Sequence, residues 1–236
     1  PGIAVKLGKN FSEIEINDNQ IKLGAGNLSS RVAINLSEFG FDLSFLRTIP
    51  GTIGGAIAMN AGCYGSYLGD YVLSVEGVDR SGKVMQICRE KLEFQYRSSK
   101  LPENFIVTSV VVNPLIEKTS VIKEKMAKTL AKREETQPIK KATCGSTFKN
   151  PDGKSSLMQE KAVQLKAWHL IDKAGLRGKK FGKAMVSEKH PNFLINLGGA
   201  SACDLESLGE YVRKLVYEKY NIFLDWEVIR VGRKKV

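Results

Sequence analysis

The chain has 236 residues, 42% of them apolar, and carries 36 Lys and Arg against 25 Asp and Glu, a net charge of +11. This is the profile of a globular protein with a buried core, in one large domain or two small ones, and no apolar run approaches the ~20 residues that span a bilayer. The positive charge favours anionic partners. RNA-binding signatures such as the RRM aromatic-glycine motif are missing, which puts phosphorylated small molecules before nucleic acid. The opening PGIAVKLGKN has no apolar run of signal-peptide length, so a cytoplasmic location is expected, with no membrane partner; the chain is expected to act as a monomer. Cys63, Cys88, Cys144 and Cys203 lie far apart in sequence and form no C-x-x-C, and only His169 and His190 could assist them, so free thiols and no metal are expected.

The first elements are strands. IEINDNQIKLGAG reads as two short strands around the turn residues Asn17, Asp18 and Asn19. SSRVAINLSEFG has helical spacing. LSVEGVDRSGKVMQI reads as a hairpin turning at Ser81-Gly82, and FIVTSVVVN as a β-branched strand that Pro114 ends. The period changes over residues 120–135, where Ile122, Met126 and Leu130 form one stripe of an amphipathic helix. Pro138 cannot continue that helix, and a domain boundary is expected there. Beyond it lies a polar loop, TCGSTFKNPDGKSS. A helix is expected over VQLKAWHLIDKA, with Leu165, Trp168 and Ile171 on one face and Gly175 at its C′ position. MVS and NFLIN read as strands, and Asp204 as the N-cap of a helix carrying Leu205, Leu208, Val212 and Leu215. IFLDWEVIRV reads as a closing strand with Ile222, Leu224, Trp226 and Val228 on one face and Glu227 on the other, followed by the basic block RKKV.

Residues 49–65, IPGTIGGAIAMNAGCYG, contain five glycines. Such a loop exposes N–H groups and admits a ligand close to the backbone. The spacing of Gly51, Gly54 and Gly55 does not make the G-x-G-x-x-G of a Rossmann turn, and no Gly-Lys-Ser/Thr ends a P-loop. Spacing alone leaves a packed turn and a ligand cradle equally open.

Together with FQYRSSKL (94–101), CGSTFKNP (144–151), AWHLIDKAGLRG (167–178), VSEKHPNFLIN (186–196) and LDWEVIRVG (224–232), this loop resembles the UDP-N-acetylenolpyruvoylglucosamine reductase family, with six motifs in the family's order. The resemblance implies an α+β protein: a non-Rossmann FAD-binding domain of the oxidase (PCMH-like) type over residues 1–137, then a smaller α+β substrate-binding domain over 138–236. It implies FAD and NADPH as cofactors and a UDP-sugar enolpyruvyl ether as substrate, reduced in peptidoglycan precursor synthesis.

The resemblance also assigns residues. Ser146 matches the proton donor, Arg97 the catalytic arginine and Glu227 the glutamate of the last motif, and the three are expected in one pocket beside the flavin. A guanidinium stays charged and can grip a carboxylate through two parallel bonds. Pro50, Gly51, Thr52, Gly54 and Gly55 are expected to meet the flavin through main-chain groups, with Asn60 and Tyr64 lining its cleft. Lys149 and Asn150 are expected to contact substrate. Cys144 is a bystander, since no activating base adjoins it.

Two departures stand out. The family carries a further N-terminal stretch with another glycine-rich loop that helps hold the FAD pyrophosphate, and this chain begins after it, so residues 1–236 alone are expected to bind FAD weakly or not at all. Met185 stands where many relatives have glutamine, which leaves the contact to the UDP-sugar at that position open. The tyrosine-bearing insertion of one subclass is not evident, which points to the other. Two rival readings are a flavin-dependent oxidase of the same architecture, with Cys63 as a point of covalent attachment, and a basic binding protein with a degenerate flavin fold.

Overall fold

A computed structural model of the protein describes residues 4–159 and 164–232. Val163, the first residue of the helix expected over VQLKAWHLIDKA, and the closing RKKV lie outside the described residues. The chain divides into two compact units, Gly2–Ala131 and Lys132–Val236.

The first unit is built on an antiparallel five-stranded sheet. Strands β1 (Ile14–Asn17) and β2 (Gln20–Gly24) form the expected hairpin, with Asp18 left-handed at φ 51°. Helix α1 (Ser29–Ser37) buries Val32, Ala33 and Leu36, the stripe that helical spacing places on one face. Strand β3 (Phe41–Asp42), helix α2 (Ile53–Ala58) and the short hairpin of β4 (Gly62–Cys63) and β5 (Ser66–Tyr67) follow. Strands β6 (Val72–Val78) and β7 (Val84–Cys88) make the second expected hairpin, with Gly82 at φ 83° in its turn. Strand β8 (Ile106–Val112) lies in the middle, giving the order β1-β2-β8-β6-β7. Strand β9 (Leu115–Ile116) pairs with β3. Helix α3 (Thr119–Thr136) puts Ile122 and Met126 into the same core as Ile21, Leu23, Val75 and Val110. Burying each such side chain contributes about 1.5–3 kcal/mol. The division between the units falls inside α3, between Ala131 and Lys132.

The second unit holds a four-stranded antiparallel sheet, order β10-β13-β12-β11, of β10 (Ala142–Ser146), β11 (Lys180–Phe181), β12 (Ala184–Val186) and β13 (Phe193–Asn196). Helices α4 (Ala167–Lys173) and α5 (Ala202–Tyr220) pack on it through Leu170, Ile171, Leu208, Val212 and Val216. Three expectations are corrected here. Helix α4 begins at Ala167, and its buried face is Ala167, Leu170 and Ile171; Leu165 precedes the helix and is exposed. Gly175, at φ 77°, follows its end as expected. Asp204 is not the cap of α5. Ser201 is, and Asp204 is its N3 partner: the Asp204 N–H donates to Ser201 Oγ (3.0 Å) and the Ser201 N–H to Asp204 Oδ2 (2.9 Å). The segment 222–231 is not a regular strand. Among the described residues it makes one bridge, Phe148 to Trp226, and the expected alternation holds in part: Leu224 is buried and Asp225 and Ile229 are exposed, but Glu227 is half-buried like Trp226 and Val228.

Candidate active site

In the first unit the glycine-rich segment lies against residues 25–29. Ser29 N–H donates to Gly51 O (3.1 Å), Ile53 N–H to Asn27 O (2.9 Å) and Gly54 N–H to Ala25 O (2.9 Å). Gly54 is needed for that approach, because a Cβ there would sit 3.1 Å from Ala25 Cβ and 3.3 Å from Ala25 O. Gly51 is different. Its φ of 93° excludes most side chains, and nothing lies within 4 Å of where a Cβ would be. Among the described residues no hydrogen bond engages the N–H groups of Gly51 or Thr52. An exposed glycine with open space beside it and two adjacent unengaged donors fits a cofactor rich in oxygen acceptors. Thr52 caps α2, its Oγ1 accepting from Gly55 N–H at 3.5 Å.

Asn60 is buried, at φ 42°, and both ends of its amide serve as a tie: Nδ2 donates to Gln95 O (3.0 Å) and Oδ1 accepts from Gly69 N–H (2.9 Å). Tyr64 and Gly65, both with positive φ (53° and 90°), form the two-residue turn between β4 and β5. Arg97 occupies a second tight turn, closed by the mutual main-chain bonds of Gln95 and Ser98 (3.0 and 3.2 Å). Its φ is 54°, a backbone that a non-glycine residue holds only when its surroundings enforce it. The guanidinium lies 4.9 Å from the Tyr96 ring centroid, and Nη1 donates to Gly62 O at 3.3 Å. Asn60 and Arg97 together dock the Tyr96-Arg97 turn on the end of the glycine-rich segment.

In the second unit Ser146, at the end of β10, and Glu227, on the irregular segment after α5, are brought onto neighbouring segments. Gly145, at φ 87°, breaks the β10–β13 register between Thr143 and Ser146, and Ser146 pairs with Phe193. On one side Thr147 N–H donates to Asn192 O (2.8 Å), while the Asn192 amide brackets Phe148, accepting from its N–H (3.0 Å) and donating to its carbonyl (2.8 Å). On the other side Lys149 N–H donates to Asp225 O (2.8 Å), and Thr147 O accepts from both Glu227 N–H (2.8 Å) and Val228 N–H (3.4 Å). Two residues facing one carbonyl is the geometry of a bulge, which re-aims side chains where it occurs. Ser146 and Glu227 are both half-buried. The Phe148 and Trp226 rings pack against each other, centroids 5.0 Å apart. Asn150 is used as a tie, Nδ2 to Lys154 O (2.8 Å) and Oδ1 from Ala167 N–H (3.2 Å). Cys144 is exposed and Met185 half-buried.

Two residues of this unit escaped the sequence reading. The Lys166 side chain is 1% exposed and its Nζ lies 2.7 Å from Asp152 Oδ2. Nothing in VQLKAW separates it from the chain's other lysines, and Asp152 is too distant in sequence for a helical pairing. His190 packs edge-on to Phe193 at 4.8 Å, and its buried Nδ1 has no hydrogen-bond partner among the described residues. Burial, aided by the Arg177 charge, lowers its pKa to about 4. Arg177 itself grips Asp172 in a bidentate pair (2.5 and 3.0 Å), which holds that carboxyl below its usual range. Among the described residues no three His, Cys, Asp or Glu gather to hold a metal, no disulfide forms, and no helix is long and apolar enough to cross a membrane.

The family model for the UDP-N-acetylenolpyruvoylglucosamine reductase C-terminal domain matches residues 137–231, and the FAD binding domain model matches residues 1–87. The UDP-N-acetylenolpyruvoylglucosamine reductase of Dinoroseobacter shibae is 48% identical over 97% of this chain and 75% of its own length. That of Jannaschia sp. is 47% identical over 98% and 75%. The crystal structure of UDP-N-acetylenolpyruvylglucosamine reductase from Thermus caldophilus superposes with a TM-score of 0.77 at 33% identity, over 94% of this chain and 75% of that one.

Proposed function

The chain belongs to the UDP-N-acetylenolpyruvoylglucosamine reductase family, and on that premise we propose that Arg97, Ser146 and Glu227 carry its reaction. The protein is an FAD-dependent oxidoreductase of peptidoglycan precursor synthesis that reduces UDP-N-acetylglucosamine enolpyruvate to UDP-N-acetylmuramate with NADPH. Its architecture is α+β, with an oxidase-type (PCMH-like) FAD-binding domain and a smaller substrate domain. We assign residues 1–137 to the first and 138–236 to the second.

When bound, FAD supplies a two-electron carrier between NADPH and the enolpyruvyl double bond. Pro50, Gly51, Thr52, Gly55 and the Tyr64 turn would hold it, while Gly54 and Asn60 fix the segment that would do so. Hydride delivery to the terminal carbon leaves negative charge on the neighbouring carbon and its carboxylate. Arg97 binds that carboxylate and stabilises the charge as it forms, a contribution of about 3 kcal/mol for one well-placed donor. Glu227 polarises the same group through hydrogen bonds. Ser146 gives its hydroxyl proton to the carbanionic carbon. A serine hydroxyl is a weak acid, so it must be held close and aligned. The double tether of Thr147, to Asn192 and to Glu227, supports that role and is the observation that carries this reading. Lys149 and Asn150 meet the UDP-sugar, Asn150 chiefly by ordering the loop. The reading further places the enzyme in the cytoplasm, as a monomer.

The test is anaerobic rapid mixing of the flavin-loaded enzyme. NADPH should bleach the flavin absorbance, and the enolpyruvyl sugar, added second, should restore it with one equivalent of UDP-N-acetylmuramate formed. Flavin that NADPH reduces but only oxygen reoxidises would contradict the reading and favour an oxidase.

A further inference from the structure

Lys166 is among the most deeply buried side chains of the second unit, yet it is charged. An ammonium taken out of water is retained only where it is paired and hydrogen-bonded. Three of its partners come from one short turn. Nζ contacts Asp152 Oδ2 at 2.7 Å and donates to the carbonyls of Lys154 (3.2 Å) and Ser155 (3.4 Å). Asp152 is itself engaged, its Oδ1 accepting from Lys154 N–H at 3.1 Å. The turn begins at Asn150, whose amide spans Lys154 O and the first N–H of α4. Lys149, immediately before it, ends the tethered run that starts at Ser146.

From this geometry we infer that Lys166 is a positioning residue for the substrate step: its ammonium folds the 150–155 turn onto the amino end of α4, and so fixes where Lys149 and Asn150 meet the UDP-sugar. The inference rests on the functional reading above and extends it to a residue that touches no reactant. Lys149 precedes the turn and Lys154 lies within it, and both would otherwise sample many rotamers near an anionic ligand. An internal cation that draws three oxygens of the backbone and Asp152 inward leaves Lys149 to face the ligand. Placement errors of about 1 Å at a substrate contact can cost about 100-fold in rate.

The two half-reactions separate this role from simple support of the fold. In the flavin-loaded enzyme, Lys166→Met should leave flavin reduction by NADPH within about two-fold of wild type and slow reoxidation by the enolpyruvyl sugar about 100-fold. Affinity for the product UDP-N-acetylmuramate, measured by calorimetry without turnover, should fall about ten-fold. Asp152→Asn perturbs the same contact from its partly exposed side while keeping a neutral acceptor for the ammonium, and urea unfolding of both variants identifies which is folded; it should show the same asymmetry at about ten-fold. Equal losses in both half-reactions, or product affinity unchanged in Asp152→Asn, would overturn the inference and leave the functional reading intact. Wild-type enzyme that the enolpyruvyl sugar does not reoxidise would overturn the functional reading and the inference with it.

Discussion

At the scale of single residues, His190 shows how the packing around Ser146 is secured. It lies in the Ser187–Phe193 turn, where Ser187 Oγ accepts from its N–H at 3.1 Å, and two residues later Asn192 brackets Phe148. Burial holds the imidazole neutral, with its pKa lowered from 6.5 to about 4. The unfolded chain therefore binds more protons than the folded one between those two values. Stability is fully present above pH 6.5 and is lost as pH falls towards 4, by on the order of 3 kcal/mol. Denaturant titrations of wild type and His190→Phe at pH 7 and pH 4 should show the wild type losing that much more than the variant. Parallel losses would mean that His190 is not the group that senses acid.

At the scale of elements, the question is how an irregular segment holds Glu227. The answer is Trp226. Its Nε1 donates to Glu210 Oε1 at 2.9 Å, and the Arg230 guanidinium lies 4.6 Å from its ring centroid. The ring covers Gly209 on α5, where a Cβ would fall 2.1 Å from Trp226 Cη2. Gly209→Ala gains about 1 kcal/mol of helix propensity. It must also displace the ring, an overpacking cost that typically reaches about 1–3 kcal/mol and at this overlap should exceed the gain. Urea unfolding should show a net loss of stability, and a variant more stable than wild type would refute this picture of the Trp226 anchor. The same segment marks the limit of what sequence shows. The hairpins of β1–β2 and β6–β7 and the stripe of α3 were legible because alternation, turn residues and helical spacing are local. The alternation of 222–231 was legible only in part, failing at Glu227, and its ladder was not, since a strand needs partners and among the described residues this one has a single bridge and a bulge. Ser201 and Asp204 both suit a cap, and only the reciprocal bonds assign their places. Ser146, Glu227 and Arg97 could be singled out through whole-chain resemblance to a family; their spacing alone carried no signal. Lys166 could not be singled out, because what buries it is tertiary.

At the scale of the whole molecule, the net charge of +11 suits an enzyme whose reductant and substrate are both phosphorylated anions. Its cycle has two halves that share the flavin and differ in what the protein must do. Reduction by NADPH asks the first unit to hold the flavin. Reoxidation by the enolpyruvyl sugar also asks for a proton at carbon, and only Ser146 is assigned to give it. Removing a positioned acid typically costs about 10²–10⁴-fold in the step that uses it. The direct measurement is stopped-flow of each half-reaction in Ser146→Ala. Flavin reduction by NADPH should stay within about two-fold of wild type, while reoxidation by the enolpyruvyl sugar slows by about 10³-fold; equal slowing of both, or reoxidation at the wild-type rate, would contradict the assignment.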